Sequence, residues 1–182
     1  LTENQLLGLS VSSPDILEET IAYALAMKFD ILLLDGSGGL GTPWAELSGE
    51  PNLTILRDAV AILRRIGREE EIDLIFFGGV RSGTDTAKLV ALGSMAVVLG
   101  VTLGLAAGAE IRDRHDMQFS ADRDKKDRAE AVAHILNASA QEASMMARCT
   151  GKTNLQNVEP EDLRAITIAT AKATGIPLAG TL

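Results

Sequence analysis

Four short apolar segments recur along the 182-residue chain, and each is followed by a segment with the apolar spacing of an amphipathic helix. The apolar segments are Gln5–Val11, Phe29–Leu34, Ile72–Phe77 and Ala96–Gly100. Near-continuous apolar strands that alternate with such helices are typical of βαβ units and of a parallel sheet. The pattern therefore predicts an α/β fold in which four strands are each followed by a helix.

The pattern changes after residue 109. Residues 110–127 are polar and predict an irregular connection, and residues 128–182 predict a helical extension that packs on the preceding units. One helix of this extension is expected over about Arg128–Cys149. A last helix is expected over Pro160–Thr174, because proline suits a first helical turn and Gly175 suits a helix end.

The most informative loop follows the third apolar segment and consists of Gly78, Gly79, Val80 and Arg81, which we call the GGVR loop. Paired glycines carry no side chain that would keep an oxyanion away from the backbone N–H groups. The helix start behind them adds donors and a favourable dipole, and Arg81 adds a planar cation.

A second glycine, Gly100, ends the next apolar segment. In (β/α)8 barrels the loops after the last two strands frequently form a joint phosphate site. Gly100 or the GGVR loop alone could be a tight turn that needs glycine. The two on consecutive strands together favour a phosphate site.

A third loop, Asp35–Pro43, has four glycines among nine residues directly after a strand. Its exposed backbone could lie against a flat ring or donate N–H groups to a carboxylate. A mobile surface loop would have the same composition. Asp35 could bind a ligand or cap the turn, and the residues alone leave both open.

Composition and charge narrow the class of function. The net charge is −8 and no large Lys/Arg cluster is present, which argues against a nucleic-acid partner. The single cysteine, Cys149, excludes an intrachain disulfide and a multi-cysteine metal site, and we assign no metal ligand. The apolar segments are too short to span a membrane, and no export leader is recognisable, so we expect a cytoplasmic protein. His115 and His134 have no neighbouring nucleophile, and we assign no catalytic residue.

The residues resemble a known family. The segment Arg68–Gly100, REEEIDLIFFGGVRSGTDTAKLVALGSMAVVLG, closely resembles the last two βα units of the FMN domain of glutamate synthase. It equally resembles the glutamate synthase-like subunit of N-methylglutamate synthase. Phe29–Thr42 resembles the preceding strand with its glycine-rich loop, and Ala147–Gly180 resembles the C-terminal helices of the shorter, stand-alone members. The likeness covers most of the chain in order.

The resemblance implies a TIM-type (β/α)8 barrel with FMN at its C-terminal mouth. This chain would supply the last four βα units, in residues 1–109, plus the C-terminal helices. The residues implied to hold the FMN phosphate are Gly78, Gly79, Val80 and Arg81, with Gly100 opposite. Those implied to line the flavin face and the substrate site are Gly38, Gly39, Gly41 and Thr42.

The implied activity is that of an FMN-dependent glutamate synthase-like oxidoreductase. In this family flavin electrons reduce an imine formed from 2-oxoglutarate and ammonia to L-glutamate, and the N-methyl relatives carry out a related transfer. A reductase or a glutaminase is a possible partner.

Three departures from the family pattern matter. Four strands cannot close a barrel, so the other half must come from another segment, another chain or a second copy. The family strand that corresponds to Gln5–Val11 usually carries a lysine that reaches the flavin, and Gly8 stands there instead. The cysteines that hold an iron–sulfur cluster in glutamate synthases are absent, so we expect no cluster.

Two other functions stay open. Gly8 favours a catalytically silent FMN- or phosphate-binding half-barrel with an assembly or regulatory role. The GGVR loop is also similar to a turn of inosine monophosphate dehydrogenases, but Cys149 lies too far along the chain to match their catalytic cysteine.

Overall fold

The computed structural model describes residues 5–38, 46, 50–113 and 116–181. Its main sheet has four parallel strands in the order β1 (Gly8–Val11), β2 (Ile31–Asp35), β3 (Asp73–Phe77) and β4 (Ala96–Val98). Consecutive strands therefore lie side by side, as in a (β/α) barrel, whereas a doubly wound sheet reverses its order part way. The predicted α/β fold, with the strand order of a partial TIM-type barrel, is confirmed.

Three helices connect these strands, namely α1 (Leu17–Ala26), α2 (Thr54–Ile66) and α3 (Gly83–Ala91). Helix α2 ends at Gly67, whose φ of 66° is the left-handed conformation that glycine adopts without strain. The apolar spacing and the helix-ending glycine thus agree on this element.

One face of the sheet is covered by helices. Leu32, Leu34, Leu74 and Phe76 are at most 5 % exposed, and they join one apolar cluster with buried side chains of α1 and α2. This cluster is the main core of the described chain.

Successive side chains of a strand point to opposite faces, so the residues between the core positions form the other face of the sheet. This other face is less covered. Ile31, Leu33, Ile75 and Phe77 are half-buried, and Val98 is 37 % exposed. This second face, which we call the inner face, is the one that a closed barrel would turn towards its axis.

After β4 come helix α4 (Val101–Ala106) and two further strands, β5 (Ala109–Asp113) and β6 (Asp116–Phe119). The two strands pair in an antiparallel hairpin, so the prediction of an irregular connection over residues 110–127 is wrong for this part. Apolar residues at alternate positions of these strands carry the period-two signal. The high density of charged residues obscured that signal.

Helix α5 (Lys125–Cys149) crosses α3 at very short range. A Cβ atom on Gly83 would lie 2.0 Å from the backbone oxygen of Ser139, so the two helices meet backbone to backbone. A second, smaller apolar cluster joins Ala91 of α3, Ala147 of α5 and Val158.

The prediction of one helix over Pro160–Thr174 is wrong in its first half. Pro160–Asp162 is a single 3-10 turn, and helix α6 covers only Ile168–Thr174. Between them, Ala165 pairs with Leu178 in a parallel bridge. Strand-type pairing therefore satisfies the backbone there instead of helical bonds.

Candidate functional site

The loops that follow β3 and β4 meet at the carboxyl edge of the sheet. The backbone N–H of Gly79 donates to Oε1 of Glu46 at 2.8 Å, and the N–H of Val101 donates to Oε2 at 2.6 Å. Two N–H groups from consecutive strand ends therefore converge on one carboxylate. The arrangement shows that this pair of loops can hold an anion.

The two glycines of the GGVR loop are required by backbone conformation. Gly78 has a φ of 137° and Gly79 a φ of 65°, both in the region that other residues rarely adopt. A Cβ atom on Gly79 would also lie 3.0 Å from Cγ of Pro51. The paired glycines thus let the backbone turn the N–H of Gly79 towards the anion.

Gly100 provides space instead of a donor. A Cβ atom on Gly100 would lie 2.0 Å from Oε2 of Glu46, so the missing side chain leaves the volume that the carboxylate fills. The donor on this side is the N–H of Val101, which the sequence interpretation missed. Val101 is the first residue of α4, and the first N–H groups of a helix lack partners within the helix. Its N–H could therefore have been recognised as a free donor.

Val80 ties the two loops together. Its carbonyl accepts a hydrogen bond from Oγ1 of Thr102 at 2.6 Å. Its side chain is 1 % exposed and belongs to the main core. Val80 therefore holds the GGVR loop in place, and its predicted contact with the phosphate would come through its backbone.

Arg81 lies beside the anion position but is paired elsewhere. Its Nε donates to Oδ2 of Asp85 at 2.8 Å, and its Nη2 donates to Oδ1 at 3.2 Å. Burial raises the pKa of Asp85, but hydrogen bonds and the charge of Arg81 outweigh it and hold this pKa below its usual value. A contact between Arg81 and a phosphate therefore requires the pair to open, and it stays a prediction.

The start of α3 is already capped by side chains. Glu142 of α5 accepts hydrogen bonds from the N–H of Gly83 at 2.9 Å and from the hydroxyl of Thr84. The bond from Thr84 is the main cause that lowers the pKa of Glu142, and the bond from Gly83 adds to it. The expectation that this helix start offers free donors is therefore wrong for Gly83, because a carboxylate from a distant helix occupies it.

The loop after β2 is described only in part. One oxygen of Asp35 accepts from the N–H and the hydroxyl of Ser37 at 2.9 and 2.5 Å, which caps the turn. The side chain is 1 % exposed, and its second oxygen has no hydrogen-bond partner among the described residues. Gly38 has a φ of 91°, and no atom of the described residues lies within 4 Å of its Cβ position. The other predicted substrate residues, Gly39, Gly41 and Thr42, lie outside the described residues.

A cavity of about 780 Å³ opens beside the anion position. Its lining includes Glu46, Gly79, Arg81 and Val101, together with leucines of α3 and α4. This volume falls within the range of about 300 to 1,000 Å³ of small-molecule sites. The cavity is therefore large enough for an organic ligand whose anionic group lies at the strand ends.

Two features are absent from the described ranges. No helix there is long and apolar enough to cross a membrane. Likewise, the described side chains form no group of three or more His, Cys, Asp or Glu residues that could hold a metal ion. His115 lies outside the described ranges.

Four parallel strands in sequential order, with an anion position between two consecutive strand ends, define part of a TIM-type barrel. Residues 10–114 match the model of a conserved region in glutamate synthase. The chain therefore belongs to the glutamate synthase family, as the resemblance predicted.

One curated relative matches most of this chain. It is the glutamate synthase large subunit-like protein of Rhizobium meliloti (strain 1021), which is 35 % identical over 193 residues. The match covers 87 % of this chain and 43 % of the relative, so the chain spans less than half of that protein's length.

Solved structures share the fold. A flavocytochrome b2 variant with sulfite bound gives a TM-score of 0.65 at 19 % identity, covering 96 % of this chain and 39 % of that chain. A mandelate oxidase variant with a monooxide FMN adduct gives 0.57 at 19 % identity, covering 84 % of this chain and 39 % of that chain. At these identities the likeness shows the fold alone.

Proposed function

We propose that this chain is one half of an FMN-binding barrel in a glutamate synthase-like oxidoreductase. The observation that carries the proposal is the convergence of the Gly79 and Val101 N–H groups on one carboxylate. Membership of the glutamate synthase family supports it, and so does the FMN adduct of the mandelate oxidase with the same fold. The FMN phosphate would be held by Gly78, Gly79, Val80, Arg81 and Gly100.

The residues at the anion position fit a phosphate monoester. The two N–H groups that hold carboxylate oxygens would reach two phosphate oxygens with the same geometry. Hydrogen bonds from N–H groups to an ionised acceptor are about twice as strong as those between neutral groups. The space left at Gly100 would take the bulk of the phosphate, and Arg81 would add charge after leaving Asp85.

When bound, FMN supplies hydride transfer. This chain would fix the flavin at the carboxyl edge of the sheet, and the loop after β2 would contact the substrate through Gly38, Gly39, Gly41 and Thr42. The proposed substrate is the imine of 2-oxoglutarate and ammonia, and its reduction would give L-glutamate. A glutaminase or a reductase would supply the ammonia or the electrons.

The second half of the barrel is part of the proposal. The inner face carries half-buried apolar side chains, and β1 and β4 are the edge strands of the described sheet. The chain also spans only 39 % of each of the two structures of the same fold. Another segment, another chain or a second copy would supply the remaining strands.

The test is to purify this chain together with its other half and to measure flavin content and FMN affinity. We expect a yellow protein and an increase in melting temperature when FMN is added. A colourless protein whose melting temperature does not respond to FMN would contradict the proposal.

A specific observation favours a second candidate, a catalytically silent half-barrel. Gly8 lies on β1 where the family usually carries a lysine that reaches the flavin, so this chain lacks that side chain. Gly8 is exposed and the nearest atom to its Cβ position is 3.7 Å away, so a lysine could be restored there by substitution. Glutamate formation is then measured with FMN and a reductant present. Turnover by the wild type favours the enzyme; FMN binding without turnover, together with turnover by Gly8→Lys, favours the silent form.

A further inference from the structure

We propose that Glu46 is an internal competitor for the phosphate position, so that FMN binds only by displacing its carboxylate from Gly79 and Val101. The inference rests on the proposed function, because it assumes that these N–H groups receive the flavin phosphate. It adds competition by a side chain of the protein itself, which the resemblance to the family does not imply.

The geometry shows why the two anions exclude each other. Each oxygen of Glu46 takes one of the converging N–H groups, at 2.8 Å from Gly79 and 2.6 Å from Val101. The carboxylate also fills the space left by the missing side chain of Gly100, where a Cβ atom would be 2.0 Å from Oε2. A phosphate on the same donors would overlap with this carboxylate.

Charge strengthens the exclusion. A phosphate monoester carries about −1.5 to −2 charges and three acceptor oxygens, whereas a carboxylate carries one charge. The phosphate is therefore the stronger acceptor, but it cannot share the donors with a second anion at contact distance. Glu46 is tethered beside the site, and tethering gives it a high effective concentration there.

The consequence is a lower apparent affinity for ligands that carry a phosphate. A ligand that binds only the open form has its affinity reduced by the fraction of molecules that are open. Riboflavin has no phosphate that would overlap with the carboxylate, so Glu46 would lower the affinity for FMN and leave that for riboflavin unchanged.

The test compares the wild type with Glu46→Gln in the full native protein, with its other half present. Glutamine keeps the size of the side chain but has no negative charge to hold the N–H groups. We expect Glu46→Gln to bind inorganic phosphate and FMN about tenfold more tightly, which corresponds to an open fraction of about a tenth in the wild type. Affinities are measured by calorimetry for phosphate and by flavin fluorescence for FMN.

Glu50→Gln is the matched control, because Glu50 lines the same cavity and its replacement removes the same charge. Amide resonances of Gly79 and Val101, followed with selective ¹⁵N labelling, report the contact without any ligand. We expect both resonances to shift in Glu46→Gln and to stay in Glu50→Gln. Unshifted resonances in Glu46→Gln, or a phosphate affinity no higher than that of Glu50→Gln, would overturn the inference.

The outcomes also separate this inference from the proposed function. Equal FMN binding by wild type and Glu46→Gln leaves the flavin proposal standing and rejects the competitor. Failure of all variants to bind FMN or phosphate rejects the flavin proposal, and the competitor with it.

Discussion

The carboxylate of Glu142 accepts a hydrogen bond from the backbone N–H of Gly83 at 2.9 Å. The long helix α5 therefore caps the helix that begins two residues after the GGVR loop. A residue of the C-terminal extension thus holds the start of the helix that follows the candidate phosphate site, and its pKa gives a first prediction.

We expect Glu142→Gln to lower the melting temperature near neutral pH and to have little effect in acid. The pKa of Glu142 lies below its ordinary value of 4.5 in the folded state, chiefly because the Thr84 hydroxyl donates to it. A lowered pKa means that the carboxylate stabilises the fold above the ordinary value, and that this contribution is lost as the pH falls through the folded value. Thermal unfolding from neutral to acid pH measures the difference.

The control for this variant is Glu130→Gln. Glu130 lies on the same helix and is 60 % exposed beside Lys126, so its removal should change the melting temperature little at any pH. A gap between Glu142→Gln and wild type that stays constant with pH would contradict the prediction.

Gly83→Ala should destabilise the protein strongly. The new Cβ would lie 2.0 Å from the Ser139 oxygen and 2.6 Å from the Ala143 nitrogen, so α3 and α5 must separate. Overpacking of this kind costs about 1 to 3 kcal/mol, occasionally more. Urea unfolding measures it, with Gly8→Ala as the tolerated control because its Cβ would have only ordinary contacts.

Gly79→Ala should abolish tight FMN binding while the fold survives. Its φ of 65° strains any other residue by about 1 to 2 kcal/mol, and relief of the strain turns the N–H away from the anion position. Gly67→Ala is the matched control, because Gly67 has a φ of 66° at the end of α2. Gly79→Ala should lose more stability than Gly67→Ala, because only the Cβ on Gly79 would also lie 3.0 Å from Cγ of Pro51. A matching loss of FMN affinity in Gly67→Ala would count against a specific role for Gly79.

Arg81→Gln should weaken FMN binding with little change in stability. The side chain is 81 % exposed, so its ion pair with Asp85 contributes at most about 1 kcal/mol to folding. A hydrogen bond to a charged group is worth about 1.5 to 3 kcal/mol, which corresponds to a loss of affinity of at least about tenfold. Fluorescence titration at low and high salt tests this, with the exposed Arg64→Gln as control; unchanged affinity would show that Arg81 stays on Asp85.

The core of the fold follows from local sequence patterns. Apolar segments predicted the four strands, and glycines such as Gly175 predicted where helices end. The hairpin of β5 and β6 was missed because charged residues dilute its alternation. The last helix was overextended because Ala165 pairs with Leu178, and pairing between separate segments overrides local propensity.

The candidate site was predictable only where glycine marks it. Gly78, Gly79 and Gly100 could be recognised because backbone access to an anion requires glycine. Glu46 and Glu142 could not, because each meets its partners across 33 to 59 residues of sequence. A carboxylate in a polar segment gives no local sign of the N–H group that it will cap.

The outermost strands of the main sheet are short: β1 has four residues and β4 has three. Each edge strand consequently offers few unpaired N–H and C=O groups to another chain, and short edge strands are one way in which proteins avoid aggregation. Long exposed edge strands on a partial barrel would instead favour pairing between copies and fibril formation. If the chain is the half-barrel proposed above, its short edge strands would protect it from such pairing until the other half binds.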